Sequence, residues 1–126
     1  HEELVRRLVE KVEGARESIA ACDIINPEAE TVFISYGAPS RSVQQVLYDH
    51  SKECIGHLRL KMVWPFAESL LSRFKNADTF IIPEQNLGQI AREIERHVDA
   101  RVIAVPKLGG DLHTPGDLYR IVEEVR

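Results

Sequence analysis

Residues 79–90 read Thr79-Phe80-Ile81-Ile82-Pro83-Glu84-Gln85-Asn86-Leu87-Gly88-Gln89-Ile90. Thr79 to Ile82 is a β-branched and aromatic run, which predicts a short strand ending at Pro83. A carboxylate, two amides and a glycine follow, and a helical apolar stripe (Ile90, Ile94, His97, Val98) begins at once. Polar groups at such a junction lie where α/β sheets place ligands or partners. Two readings of the junction stand. Asn86 as N-cap with Gln89 three residues on forms an amide version of the capping box, and Gly88 leaves room for another backbone or a ligand. Capping does not account for Glu84, whose carboxylate at the end of an apolar strand requires a partner or a raised pKa. Glu84, Asn86, Gly88 and Gln89 are therefore candidate ligand- or partner-facing residues.

The same alternation extends in both directions. Upstream, Thr31–Tyr36 is a strand, Gly37-Ala38-Pro39 turns it, and Ser40 is placed to cap a helix carrying Val43, Val46, Leu47 and His50. Ile55–Val63 is a second strand, and Ala67, Leu70, Leu71 and Phe74 mark a short helix. Downstream, Arg101–Val105 is a strand, a loop holds Gly109, Gly110 and His113, and a last helix carries Leu118, Ile121, Val122 and Val125. Thr114, Pro115 and Asp117 form a complete helix start. Strands and helices joined by short connections imply right-handed crossovers and a mostly parallel sheet covered on both faces. Leu4, Leu8, Val12, Ala15 and Ile19 predict a leading amphipathic helix over residues 1–20, separated by Asn26-Pro27 from the core. Residues 1–126 thus read as one domain, the helix 1–20 followed by sheet and covering helices in 21–126. One strand breaks the pattern, because His57, Arg59 and Lys61 alternate with its apolar residues. That face is expected to meet water, the first helix or another protein.

Composition excludes several functions. The 126 residues carry 16 basic and 20 acidic side chains for a net charge of −4, with no basic stripe for nucleic acid. No apolar run approaches the roughly 20 residues of a membrane span, and the start has no signal-peptide core. Cys22 and Cys54 belong to no C-x-x-C and read as reduced cytosolic thiols packed as small hydrophobes. The five histidines show neither metalloprotease spacing nor a triad, and His97 reads as a packed histidine. Tyr36-Gly37-Ala38-Pro39-Ser40-Arg41-Ser42 lacks two glycines of a dinucleotide fingerprint and has no G-K-[ST], so it reads as a plain strand-to-helix turn. No catalytic, cofactor-binding or metal-ligating residue is assigned. Trp64-Pro65-Phe66 contains the one tryptophan, and Trp64 and Phe66 are either a core corner or partner anchors. Gly109, Gly110 and His113 are left over after the turn and cap needs of their loop; they read first as a surface turn and otherwise as candidates to touch a ligand or partner.

Four segments in order, Ser35-Tyr36-Gly37-Ala38…Ser40, Leu58-Arg59-Leu60…Trp64-Pro65-Phe66, Ile82-Pro83-Glu84-Gln85-Asn86-Leu87-Gly88-Gln89 and Gly109-Gly110…Thr114-Pro115, together resemble a known family. The chain is similar to the C-terminal domain of the α subunit of 2-oxoacid:ferredoxin oxidoreductases over nearly its whole length. It departs at Ala67, where that family commonly has proline. The resemblance implies a three-layer α/β/α sandwich of the transketolase C-terminal type, with a mostly parallel five-stranded sheet and one antiparallel edge strand. Ala21–Ile25 would supply that edge, beside the second strand.

For the whole enzyme, the resemblance implies oxidative decarboxylation of a 2-oxoacid, with the likeness leaning to 2-oxoglutarate. It implies thiamine diphosphate with Mg, iron–sulfur clusters, coenzyme A as acyl acceptor, and ferredoxin as electron acceptor. It also implies partner subunits (β, with γ and δ in some assemblies), a cytoplasmic setting and an oligomer. None of the cofactor motifs of that chemistry is in this sequence, so the segment is expected to be a non-catalytic piece of a larger subunit. Two alternatives are a stand-alone flavodoxin-like binding domain and the C-terminal domain of another thiamine enzyme, such as a dehydrogenase β subunit. The Glu84-x-Asn86-x-Gly88-Gln89 run favours the first reading over the last.

Overall fold

The computed structural model describes residues 22–61, 68–85, 89–107 and 112–126. The expected leading helix, Trp64, Phe66, Asn86, Gly88, Gly109 and Gly110 lie outside these residues. Five strands, β1 (Cys22–Ile25), β2 (Thr31–Tyr36), β3 (Ile55–Leu60), β4 (Thr79–Glu84) and β5 (Arg101–Pro106), form one sheet in the order β1-β3-β2-β4-β5. All neighbouring pairs are parallel except β1 with β3, which is antiparallel with Cys22 opposite Leu60 and Ile25 opposite His57. The mixed sheet with one antiparallel edge is thus as expected. Asn26 makes the reversal after β1 possible. It sits at φ 50, a left-handed conformation that asparagine tolerates, and its side-chain amide donates to the Ile55 carbonyl at 3.0 Å.

Three α-helices, α1 (Pro39–Asp49), α2 (Gln89–Glu95) and α3 (Pro115–Val125), and a 3₁₀ helix (Glu68–Arg73) complete the described elements. Alternate strand positions feed two cores. On one face Val32, Ile34, Leu58, Leu60, Phe80 and Ile82 pack with Leu71, Phe74, Ile90 and Ile94. On the other, Phe33, Ile55 and Ile81 pack under Val43 and Val46 of α1 and Leu118 and Val122 of α3. Each such buried aliphatic or aromatic side chain stabilises by about 1.5–3 kcal/mol. Gly56 is required by close approach: a β-carbon there would meet Val32 Cγ2 at 2.9 Å and the Asn26 carbonyl oxygen at 3.0 Å.

Several expectations are corrected. Helix α1 begins at Pro39, the favoured first position for proline, so Ser40 lies inside the first turn and is not the cap. The short helix is 3₁₀, and β3 ends at Leu60. Helix α2 stops at Glu95, before His97, which is exposed and lies 3.4 Å from Glu93. Cys54 is exposed beside the Glu28 carboxylate, while Cys22 packs partly against the core. His50 lies past α1, with its ring stacked on Tyr119 at 3.4 Å.

Pairing of β2 with β4 runs from Thr31–Thr79 through Val32–Phe80 to Phe33–Ile81 and goes no further. The chain leaves β2 toward β3 on one side, while β4 lies on the other. The carboxyl ends of the strands therefore part at the position where the strand order reverses, the place open α/β sheets use for recognition.

Candidate functional site

Glu84 is fully buried at the end of β4. Its two carboxylate oxygens accept the backbone N–H groups of Ile90 at 2.9 Å and Ala91 at 3.3 Å, at the amino end of α2. Its own carbonyl accepts Lys107 N–H at 2.8 Å, just beyond β5. The strand-end carboxylate thus has its partner in the amides that a helix start leaves unpaired, where negative charge is also favoured. It is engaged in structure rather than presented to solvent. Gln89 is the first residue of α2 and is exposed.

The odd alternation of β3 resolves into two parts. His57 is buried at 1% exposure; its Nε2 lies 2.7 Å from Ser35 Oγ, which lies 2.8 Å from Ser40 Oγ on α1. The expected polar face is therefore covered at His57. Burial pushes the His57 pKa down to about 4, the Arg59 charge adds to the depression, and Asp23 opposes it. The Nδ1 atom has no hydrogen-bond partner among the described residues. A bare lone pair is the less costly group to leave unpaired, so the proton belongs on Nε2, donated to Ser35. Arg59 and Lys61, in contrast, reach outward, and each lies 3.5 Å from the single carboxylate of Asp23 on β1.

Beside Ser35, Ser40 and His57, at the carboxyl ends of β2 and β3, a cleft of about 520 Å³ opens between the start of α1 and the segment before α3. Gly37, Pro39, Arg41, Arg59, Leu112 and His113 line it. Gly37, at φ +67 with open space around it, makes the turn into α1. His113 is buried at 2% exposure, donates from Nε2 to the Val105 carbonyl at 2.6 Å, and accepts the Ser42 hydroxyl on its own carbonyl. It is not the surface-turn residue that the sequence suggested. As expected, Thr114 Oγ1 accepts Asp117 N–H at 3.1 Å and fixes the start of α3.

Of the candidate residues, only Glu84, Gln89 and His113 lie among those described. Sequence reasoning missed Ser35, His57, Arg41, Arg59 and His113 as a neighbourhood. The signal available was the polar alternation of β3 together with arginine four residues after a glycine turn. Among the described residues, no group of three His, Cys, Asp or Glu side chains is placed to hold a metal ion. With Glu84 bound to amides, these residues do not fit magnesium–diphosphate ligation. No helix among them is long and apolar enough to cross a membrane.

A mixed five-stranded sheet covered on both faces, with polar groups gathered at the strand ends, defines a layered α/β domain. The model of the pyruvate:ferredoxin oxidoreductase core domain II family matches residues 29–118, and the chain belongs to that family. The 2-oxoglutarate synthase subunit KorA of Methanocaldococcus jannaschii is 40% identical over 126 residues, covering 97% of this chain and 34% of that protein. The KorA subunit of Methanothermobacter marburgensis is 33% identical over 126 residues, covering 94% of this chain and 33% of its own length. The chain thus spans about a third of these relatives. Its fold matches the 2-oxoglutarate:ferredoxin oxidoreductase of Magnetococcus marinus, solved with 2-oxoglutarate, coenzyme A and succinyl-CoA bound. The TM-score is 0.82 at 21% identity, over 99% of this chain and 23% of that one.

Proposed function

We propose that residues 1–126 form the C-terminal domain of the α subunit of a 2-oxoacid:ferredoxin oxidoreductase of the 2-oxoglutarate type. The enzyme would convert the 2-oxoacid to its acyl-CoA using thiamine diphosphate and iron–sulfur clusters held elsewhere, with ferredoxin as acceptor and a cytoplasmic setting. The observation that carries this reading is the 40% identity to a 2-oxoglutarate synthase subunit along 97% of the chain. The domain's own part is to be docked against. The engagement of Glu84 by two amides supports this, because it removes the most conspicuous carboxylate from acid–base duty. Trp64, Phe66, Asn86, Gly88, Gln89, Gly109 and Gly110 are proposed to face the other subunits or a ligand.

The test is affinity purification of the full-length subunit, followed by identification of what accompanies it. A thiamine-binding β subunit together with a cysteine-rich iron–sulfur polypeptide or domain is the expected result. Full-length subunit that is monomeric, with no such companion and no 2-oxoglutarate-dependent ferredoxin reduction in the reconstituted extract, would overturn the assignment. In the same assembly Trp64→Ala should weaken subunit association more than it weakens folding.

A further inference from the structure

The cleft at the ends of β2 and β3 is not absorbed by a scaffold role. Its volume, about 520 Å³, lies within the roughly 300–1,000 Å³ of small-ligand sites. In a chain of net charge −4, its described lining includes two arginines and no carboxylate. They come from different elements, Arg41 from the first turn of α1 and Arg59 from β3. Asp23 is the counter-ion on this side, and it is shared between Arg59 and Lys61, so one carboxylate faces two cations before Arg41 is counted. Arg41 is exposed, and no carboxylate occupies the first turn of α1, whereas α2 has Glu84 and α3 has Asp117 at that place. His113, buried, is part of the lining, and its Nδ1 has no hydrogen-bond partner among the described residues. Two arginines from different elements lining one concavity suit the forked geometry of phosphate and carboxylate oxygens.

The start of α1 is not what would hold the ligand. Pro39 has no N–H, and the amides of Ser40 and Arg41 already donate to the carbonyls of Gly37 and Ala38 at 3.1 Å. This is the opposite of a glycine-rich phosphate cradle, in which backbone amides point at the anion. Recognition here falls to side chains.

We propose that the cleft bounded by Arg41, Arg59 and His113 binds a small oxyanion group, phosphate or carboxylate, between the two guanidinium groups. This site is independent of which 2-oxoacid the assembly uses, and its failure would leave the family assignment untouched. The test is titration calorimetry of the full-length subunit with inorganic phosphate and, separately, with succinate, each against sodium chloride at matched ionic strength. A Kd of about 1 mM or tighter for at least one of them is expected. Arg41→Gln and Arg59→Lys should each weaken it by about tenfold, and the second keeps the charge opposite Asp23 so that folding is retained. Arg120→Gln, on α3 beside Asp117, should leave the affinity unchanged. Tighter phosphate or tighter succinate would each support the site and name its oxyanion. Absence of binding by either up to about 10 mM, or equal binding by wild type and both cleft variants, would overturn the proposal.

Discussion

The Glu84 carboxylate accepts the Ile90 backbone N–H at 2.9 Å, joining the end of one strand to the first turn of the helix that follows it. The contact spans only the intervening loop, yet it places a charged group inside the core face formed by Ile82, Ile90 and Ala91. Glu84→Ala removes two charge-assisted acceptors and leaves buried amides unpaired. It is expected to destabilise the chain by about 2–4 kcal/mol in urea unfolding. Glu84→Gln retains one acceptor and should cost about half as much. A loss below about 0.5 kcal/mol for the alanine variant would mean that the amides find other partners.

His57 gives the fold a pH dependence of definite sign. Its folded pKa, about 4, lies below the ordinary 6.5 because burial penalises the charged ring. Above 6.5 both states are neutral and the group imposes no penalty. Between 6.5 and 4 the unfolded chain takes up a proton that the folded chain does not, so stability falls as pH is lowered. The slope approaches about 1.4 kcal/mol per pH unit, for a total of about 3 kcal/mol. Urea midpoints measured across this window should show the fall in the wild type and a flatter profile in His57→Leu. Parallel profiles would assign the acid sensitivity to other groups.

Gly56 has no space for a side chain. The nearest obstacles to a β-carbon include the Asn26 carbonyl, a backbone atom that also accepts Ala29 N–H at 3.1 Å. Gly56→Ala should therefore shift β3 against the β1–β2 turn and cost about 1–3 kcal/mol. Thermal unfolding reads the loss directly. A variant as stable as the wild type would show that the turn gives way freely.

Much of the architecture was legible because its signals are local. Thr79–Ile82 and Thr31–Tyr36 declare strands through β-branched and aromatic residues, and Thr114-Pro115 declares a helix start through its cap. The antiparallel edge strand was not available from periodicity, since four residues are too few to establish a period; the family likeness supplied it. Ser40 misled because a good capping residue next to proline fits two registers, and the structure uses proline as the first helical position. The site was the least legible part. The position of Glu84 at an apolar strand end implies a partner, but the partner is a pair of backbone amides, which sequence does not display. Ser35, His57 and Ser40 meet only because β2, β3 and α1 stack, and that is a property of the packed layers rather than of any one segment.

Glu84 also has a mechanical role. Through its side chain it holds α2, and through its carbonyl it holds the backbone at Lys107. Strand, helix and neighbouring edge are therefore clamped at one joint, so a sliding displacement of α2 alone would have to break the buried contacts of a charged group. The joint therefore acts as a rigid corner: a torque on α2 is passed to β4 and to the end of β5 instead of being absorbed between them.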